Sequence, residues 1–301
     1  MRKRQITAIA VAIGAALVVA ACGSSSSNTS APSPSGSSSG GSSSSGGSGT
    51  INGAGSTFAA PIYMQWGSTL KGQGLTVNFN AVGSGAGIAE LQSATVDFAG
   101  SDPAMTPDEV KAAKGPVAQF PIGFGAITVS YNLSGVKSGI KLDGKTLADI
   151  YLGKVKKWND PEITALNPGM NLPSASITVV HRSDSSGTTK AFATYLSDYS
   201  PAWTAAAGQP DKIVKWATGT GAKGNSGVAA AVKQTAGAIG YVEQAYALQN
   251  GFTYASVKNS SGKFVPPTIE AASKAADGIK VPPDLTISTI NSPNAAAYPI
   301  T

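Results

Sequence analysis

An α/β fold is predicted by three observations: strand-like segments alternate with helical ones along the chain, Gly- and Ser-rich turns separate them, and no internal repeat of fixed period interrupts the alternation.

The chain opens Met-Arg-Lys-Arg, followed by an apolar run from Ile6 to Ala21. That run is short of the ~20 apolar residues of a spanning helix, and with its charged start it predicts a signal peptide over residues 1–21. It ends at Val19-Ala20-Ala21-Cys22, small residues and then a cysteine, which reads as a bacterial lipoprotein cleavage site with Cys22 carrying the lipid. Because one acyl chain holds a membrane only marginally, stable anchoring needs more than one. Cys22 is the single cysteine, so the exported part has no internal disulfide and depends on its core. Residues 22–50 are otherwise almost all Ser and Gly, a composition that behaves as a flexible tether. Roughly 250 residues remain from Ile51, enough for one large or two modest domains.

Formal charge is +6. Removal of Arg2, Lys3 and Arg4 with the signal leaves about +3, and no dense basic stripe with interleaved aromatics argues for nucleic acid. The mild excess suits a small anion.

In the folded part, TFAAPIYMQWGSTL carries Phe58, Ile62, Tyr63 and Trp66 at helical spacing, with Pro61 in the first turn. LTVNFNAV alternates as a strand does; Gly83-Ser84-Gly85-Ala86-Gly87 then opens a second helix, and VDFAG is a short strand ending at Ser101-Asp102-Pro103. FPIGFGAITVSYNL (120–133) is strand-like, TLADIYLGKVKKW (146–158) reads as one amphipathic helix with a solvated basic face open to a docking role toward a membrane partner, and SITVVHR (176–182) is a strand. Later segments repeat the alternation more loosely.

Three turns place hydroxyls at a helix start: Ser56-Thr57-Phe58, Gly83-Ser84-Gly85 and Ser186-Gly187-Thr188. Free backbone N–H groups and a positive dipole end favour an anion there, although N-capping explains any one of them. Arg182 meets the third turn, and its guanidinium offers two parallel donors to an oxyanion, with Asp184 able to hold it; a surface ion pair is the alternative. Asp102 is a turn residue in one reading. In the other it is a carboxylate inside an anion site, repulsive unless the anion carries a proton, as phosphate does at neutral pH and sulfate does not.

These blocks, GAGSTFAAPIY, VGSGAGI, VDFAGSDPA, LADIYLGKVKKWNDPEI, VVHRSDSSGTT and GAIGYVEQAYA, resemble in order the periplasmic phosphate-binding protein of the ABC phosphate importer, from about Gly53 onward. The resemblance implies a type II periplasmic-binding-protein fold: domain 1 begins at 51–122, domain 2 spans 123–290, and a ligand cleft lies between them. It implies a binding protein, not an enzyme, that delivers inorganic phosphate to the importer's permease, with no metal or cofactor and as a monomer. Carried over by motif, the phosphate ligands are Thr57, Phe58, Ser84, Asp102, Arg182, Ser186, Gly187 and Thr188, with Asp184 orienting Arg182. The protein is expected outside the cytoplasm, periplasmic or at the cell surface, tethered through Cys22. Residues 291–301 are expected to begin a return to domain 1, the remainder of which is missing, as in a fragment.

Other readings stand beside this one. Asp102, His181 and Ser186 are the residue types of a hydrolase triad, but no G-x-S-x-G surrounds Ser186, and His181, the single histidine, reads as a bystander. Gly219 to Gly224 matches G-x-G-x-x-G with Glu243 at ribose-contact distance; the segment reads as a loop, with a helix starting after Gly227. A binder of another oxyanion, or a derivative serving surface signalling or adhesion, is the remaining alternative.

Overall fold

The structure, a computed structural model, describes residues 49–301. The signal peptide, Cys22 and the tether up to residue 48 lie outside the described residues.

The N-terminal part runs β1 (Gly49–Gly55), α1 (Ala60–Lys71), β2 (Leu75–Ala81), α2 (Ser84–Gln92), β3 (Phe98–Gly100) and α3 (Pro107–Lys111). β1 takes in Gly49 and Thr50, the end of the expected tether, which pair with Leu75 and Thr76. The sheet has the order β2-β1-β3 and is parallel throughout. Tyr63 of α1 stacks on Phe79 of β2 with ring centroids 4.4 Å apart, fixing that helix against the sheet.

α2 approaches β1 more closely than a side chain permits. A Cβ on Gly87 would overlap Gly55 Cα and lie 2.6 Å from Ala54 O, so glycine is required for this seating.

The second part continues β4 (Ile127–Tyr131), β5 (Lys141–Leu142), α4 (Gly144–Tyr151), α5 (Pro161–Leu166), β6 (Thr178–Arg182), α6 (Gly187–Tyr199) and α7 (Pro201–Ala207). It closes with β7 (Thr220–Ala222), α8 (Gly224–Gln234), β8 (Ala238–Glu243), α9 (Gln244–Asn250), β9 (Thr253–Tyr254), β10 (Ser256–Lys258), β11 (Phe264–Val265) and α10 (Ile269–Lys274). A mixed sheet of order β7-β6-β8-β4-β9 is its centre, and a small sheet β11-β10-β5 lies beside it. The larger core gathers Tyr151, Trp158, Phe192, Tyr195, Trp203 and Tyr241, all fully buried. Phe192 of α6 stacks on Tyr241 of β8 at 4.4 Å.

Two segments differ from their sequence expectations. Within 120–133 only Ile127–Tyr131 is a strand; Phe120, Ile122 and Phe124 are exposed where the chain passes between the sheets. The helix expected over 146–158 is Gly144–Tyr151, because the chain turns at Gly153 in the left-handed region (φ +71°) and buries Val155 and Trp158 off the helix. The lysines of the expected basic face therefore scatter: Lys154 Nζ turns back to Asp149 Oδ1 at 3.0 Å, and Lys157 sits in an isolated bridge to Ser176. Within residues 291–301 the chain meets the start of β4: Ile127 N donates to Ile300 O (2.8 Å) and Tyr298 Oη to Ile127 O (2.9 Å).

No helix among the described residues is long and apolar enough to cross a membrane.

Candidate functional site

The turns singled out in the sequence follow the carboxyl ends of strands: Ser56 and Thr57 come after β1, Ser84 after β2, Asp102 after β3, and 183–188 after β6. Crevices at such ends, where crossovers diverge, are where α/β sheets hold ligands. The two parts bring their strand ends face to face, so residues about a hundred positions apart meet.

Asp102 is the meeting point. Ser56 Oγ donates to its Oδ1 through a short hydrogen bond, and Thr188 Oγ1 donates to its Oδ2 at 3.0 Å. Burial pushes the Asp102 carboxyl up, against the pull of the Ser56 and Thr188 hydroxyls and the Arg182 charge. The residue as a whole is nevertheless exposed, and water softens that rise.

Arg182 ends β6 with its side chain almost wholly buried, and Asp184 holds it along one edge: Nε to Oδ1 at 2.7 Å and Nη2 to Oδ2 at 2.5 Å. The other edge of the fork meets Thr188 Oγ1 at 3.4 Å through Nη1. A guanidinium carries five N–H donors, so this edge keeps donors for two oxygens of an anion. Burial would raise Asp184, but the Arg182 hydrogen bonds and charge, with the Gly224 N–H, outweigh it and hold the carboxyl below the usual range. A buried arginine so satisfied is positioned, whatever it contributes to stability.

Ser84 and Ser186 have their polarity set by the backbone. Ser84 Oγ accepts from Asp102 N (3.3 Å) and Gly187 N (3.2 Å), and Ser186 Oγ accepts from Thr189 N (3.1 Å) as the N-cap of α6. A hydroxyl has two lone pairs and one hydrogen; both lone pairs of Ser84 are used, so its hydrogen remains to be donated, while Ser186 keeps its hydrogen and one lone pair. Phe58 is the least direct of the expected ligands: its N–H donates to Ser56 Oγ at 3.0 Å and its ring packs against the larger core.

His181 stands apart. It stacks on Trp216 at 4.5 Å, its Nδ1 lies 3.0 Å from Arg182 O, and burial lowers its pKa. Among the described residues neither Ser186 nor Asp102 hydrogen-bonds to it, which removes the geometry of a triad.

A family model described as a PBP superfamily domain matches residues 40–301. The chain is 45% identical over 242 residues to the phosphate-binding protein PstS of Haemophilus influenzae, spanning 80% of this chain and 72% of that protein. Against the phosphate-binding protein PstS of Xylella fastidiosa the identity is 41% over 255 residues, spanning 83% and 69%. The chain belongs to the PstS phosphate-binding protein family. A solved phosphate-binding protein from Stenotrophomonas maltophilia shares the fold at 20% identity, with a TM-score of 0.59 over 83% of this chain and 76% of that one. This PstS-family chain therefore has the type II periplasmic-binding-protein fold, as expected from the sequence.

Several residues of this PstS-family site escape sequence reading. Gly224, reached through the G-x-G-x-x-G segment, adopts φ +70° and donates its N–H to Asp184 Oδ1 at 3.0 Å. The match is no dinucleotide loop: β7 fills Thr220–Ala222, and α8 starts at Gly224, before Gly227. Asn225 contacts Thr57, Tyr246 Oη donates to Thr57 O (2.8 Å), and Lys212 Nζ pairs with Glu109 Oε1 across the two parts at 2.7 Å. Glu243, the expected ribose contact, is buried as the N-cap of α9, its Oε2 accepting from Ala245 N at 2.8 Å. Burial pushes its carboxyl up to about 7, against the Ala245 and Tyr246 N–H groups and with added repulsion from Asp102. Ser56 carried a signal as the first hydroxyl of its turn, and Gly224 and Glu243 carried one for a different role; Asn225, Tyr246, Lys212 and Glu109 depend on chain-distant partners. Beside Thr57, Asp184 and Gly224 a cleft of about 480 Å³ opens between the parts, also lined by Met64 and Tyr246.

Proposed function

We propose that this protein captures inorganic phosphate outside the cytoplasm and delivers it to the membrane permease of an ABC importer, as a binding protein and not an enzyme. The observation that carries this reading is Asp102, a carboxylate set among hydroxyl donors beside the buried Arg182 guanidinium. In this reading Arg182 clamps two phosphate oxygens with the edge that Asp184 leaves to it. The hydroxyls of Thr57, Ser84 and Ser186 donate to the oxygens, and the Thr188 hydroxyl and the N–H groups of Phe58 and Gly187, which here meet Asp102, Ser56 Oγ and Ser84 Oγ, turn to the oxygens when the ligand enters. Asp102 accepts the hydrogen of the protonated oxygen. Sulfate has no proton to offer at neutral pH, so its oxygen would face Asp102 charge against charge, and a site built to receive a hydrogen bond rejects an isostere lacking it.

Residues 51–122 and 123–290 act as the two domains that close on the ligand. Cys22, freed by removal of residues 1–21, carries the lipid, and the Ser/Gly stretch to residue 48 tethers the monomeric binder at the membrane, in the periplasm or at the cell surface.

Isothermal titration with phosphate, sulfate and arsenate tests the reading. Phosphate is expected to bind tightly and sulfate not at all, with selectivity loosened in Asp102→Asn. Equal binding of sulfate and phosphate by the unaltered protein overturns it and favours a general oxyanion binder.

A further inference from the structure

Asn225 is fully buried at the start of α8 and makes three hydrogen bonds with one possible orientation. Its Oδ1 accepts from Glu243 N at 2.9 Å. That fixes the amide, because the flipped rotamer would set two donors against each other. Nδ2 is thereby turned to Thr57, and Thr57 Oγ1 accepts twice from the same residue: from Asn225 Nδ2 at 2.8 Å and from Asn225 N at 3.1 Å. Both lone pairs of the Thr57 hydroxyl are used, so the hydroxyl can act outward only as a donor. Tyr246 holds the Thr57 carbonyl from the other side. The preceding residue, Gly224, binds Asp184, which grips Arg182.

We propose that Asn225 is a positioning residue for the anion site: with two N–H donors from the second part it fixes Thr57 as an obligate hydrogen-bond donor to the bound oxyanion. The Gly224-Asn225 turn thus sets the arginine clamp and the threonine donor from a single point. This inference rests on the phosphate-binding reading, in which Thr57 touches the ligand.

The test is a double-mutant cycle on the full chain, read by phosphate titration. Asn225→Asp keeps the volume and the acceptor for Glu243 N but presents Thr57 with an oxygen, which turns the hydroxyl proton away from the cleft. Phosphate affinity is expected to fall roughly tenfold or more, the size of one well-placed hydrogen bond to a charged group. In the Thr57→Val background the same substitution is expected to change affinity by less than about twofold, since no hydroxyl remains to orient. An equal loss in both backgrounds means that Asn225 acts through charge or packing and overturns the proposal. Should Asn225→Asp not fold, the side-chain amide resonance of Asn225 in the otherwise unaltered protein serves instead: it is expected to shift in Thr57→Val and to hold in Thr57→Ser, and an unresponsive resonance overturns the contact. This resonance reads without ligand, so failure of the unaltered protein to bind phosphate sinks the functional reading separately.

Discussion

Glu243 is a buried carboxyl with one strong acceptor role, and its replacement by glutamine has a pH-dependent signature. The side chain caps α9 through Ala245 N, while burial and the nearby Asp102 push its carboxyl from an ordinary 4.5 to about 7. A carboxyl that holds its proton more tightly when folded favours the folded state at low pH. That advantage is complete below the unfolded value near 4.5 and disappears as pH rises through about 7. The gap corresponds to roughly 3 kcal/mol between the two limits, at about 1.4 kcal/mol for each pH unit crossed. Glu243→Gln cannot ionise and keeps an oxygen for Ala245 N, at a cost of about 1 kcal/mol for an imperfectly matched amide. The variant is therefore expected to be roughly 2 kcal/mol more stable than the parent at pH 8 and about 1 kcal/mol less stable at pH 4. Urea unfolding at a series of pH values, in the absence of phosphate and followed by tryptophan fluorescence, measures the difference, and other titrating groups largely cancel between the two proteins. A stability difference that stays flat from pH 4 to 8 refutes the reasoning, because it would mean that the Glu243 carboxyl holds its proton equally well folded and unfolded.

Three further outcomes are expected. Arg182→Lys keeps the charge but loses the planar fork, and phosphate affinity by titration should drop by about two orders of magnitude because neither Asp184 nor the anion can then be held bidentately. Gly87→Ala forces α2 off β1, and a loss of about 1–3 kcal/mol in thermal or chemical unfolding is expected, as for overpacked contacts. Glu109→Gln leaves Lys212 without its counter-charge in a partly buried contact; about 1 kcal/mol of stability should be lost at pH 7. The Lys212 hydrogen bond and charge overcome burial to hold Glu109 below the usual glutamate range, so this difference is present above the ordinary glutamate pKa and closes as pH falls through the lowered one.

The residues legible in the sequence are those whose chemistry and local conformation agree. Ser84 and Ser186 stand at real helix starts, and Arg182 and Asp184, two apart, do pair. Helix length was harder to read: the apolar spacing of 146–158 continues past Tyr151, but Gly153 supplies a turn that periodicity does not register, and Trp158 is buried from irregular backbone instead. Apolar character likewise misleads over 120–126, where among the described residues no strand pairs with the strand-like run. Asn225 and Gly224 were out of reach for another reason. Their roles exist only because a turn after β7 meets residues 168 and 40 positions away, and nothing local in G-x-G-x-x-G distinguishes such a turn from a solvated loop.

The seating of α2 on β1 has a consequence for how this protein tolerates change. Where Gly87 meets Gly55, the two elements touch main chain to main chain, so the placement of Ser84 at the head of that helix owes little to which apolar side chains surround it. Substitutions elsewhere along α2 can accumulate and alter stability while leaving the hydroxyl where it is. Variation in the N-terminal sheet should therefore be felt first in the lifetime of the fold and only later in what it recognises.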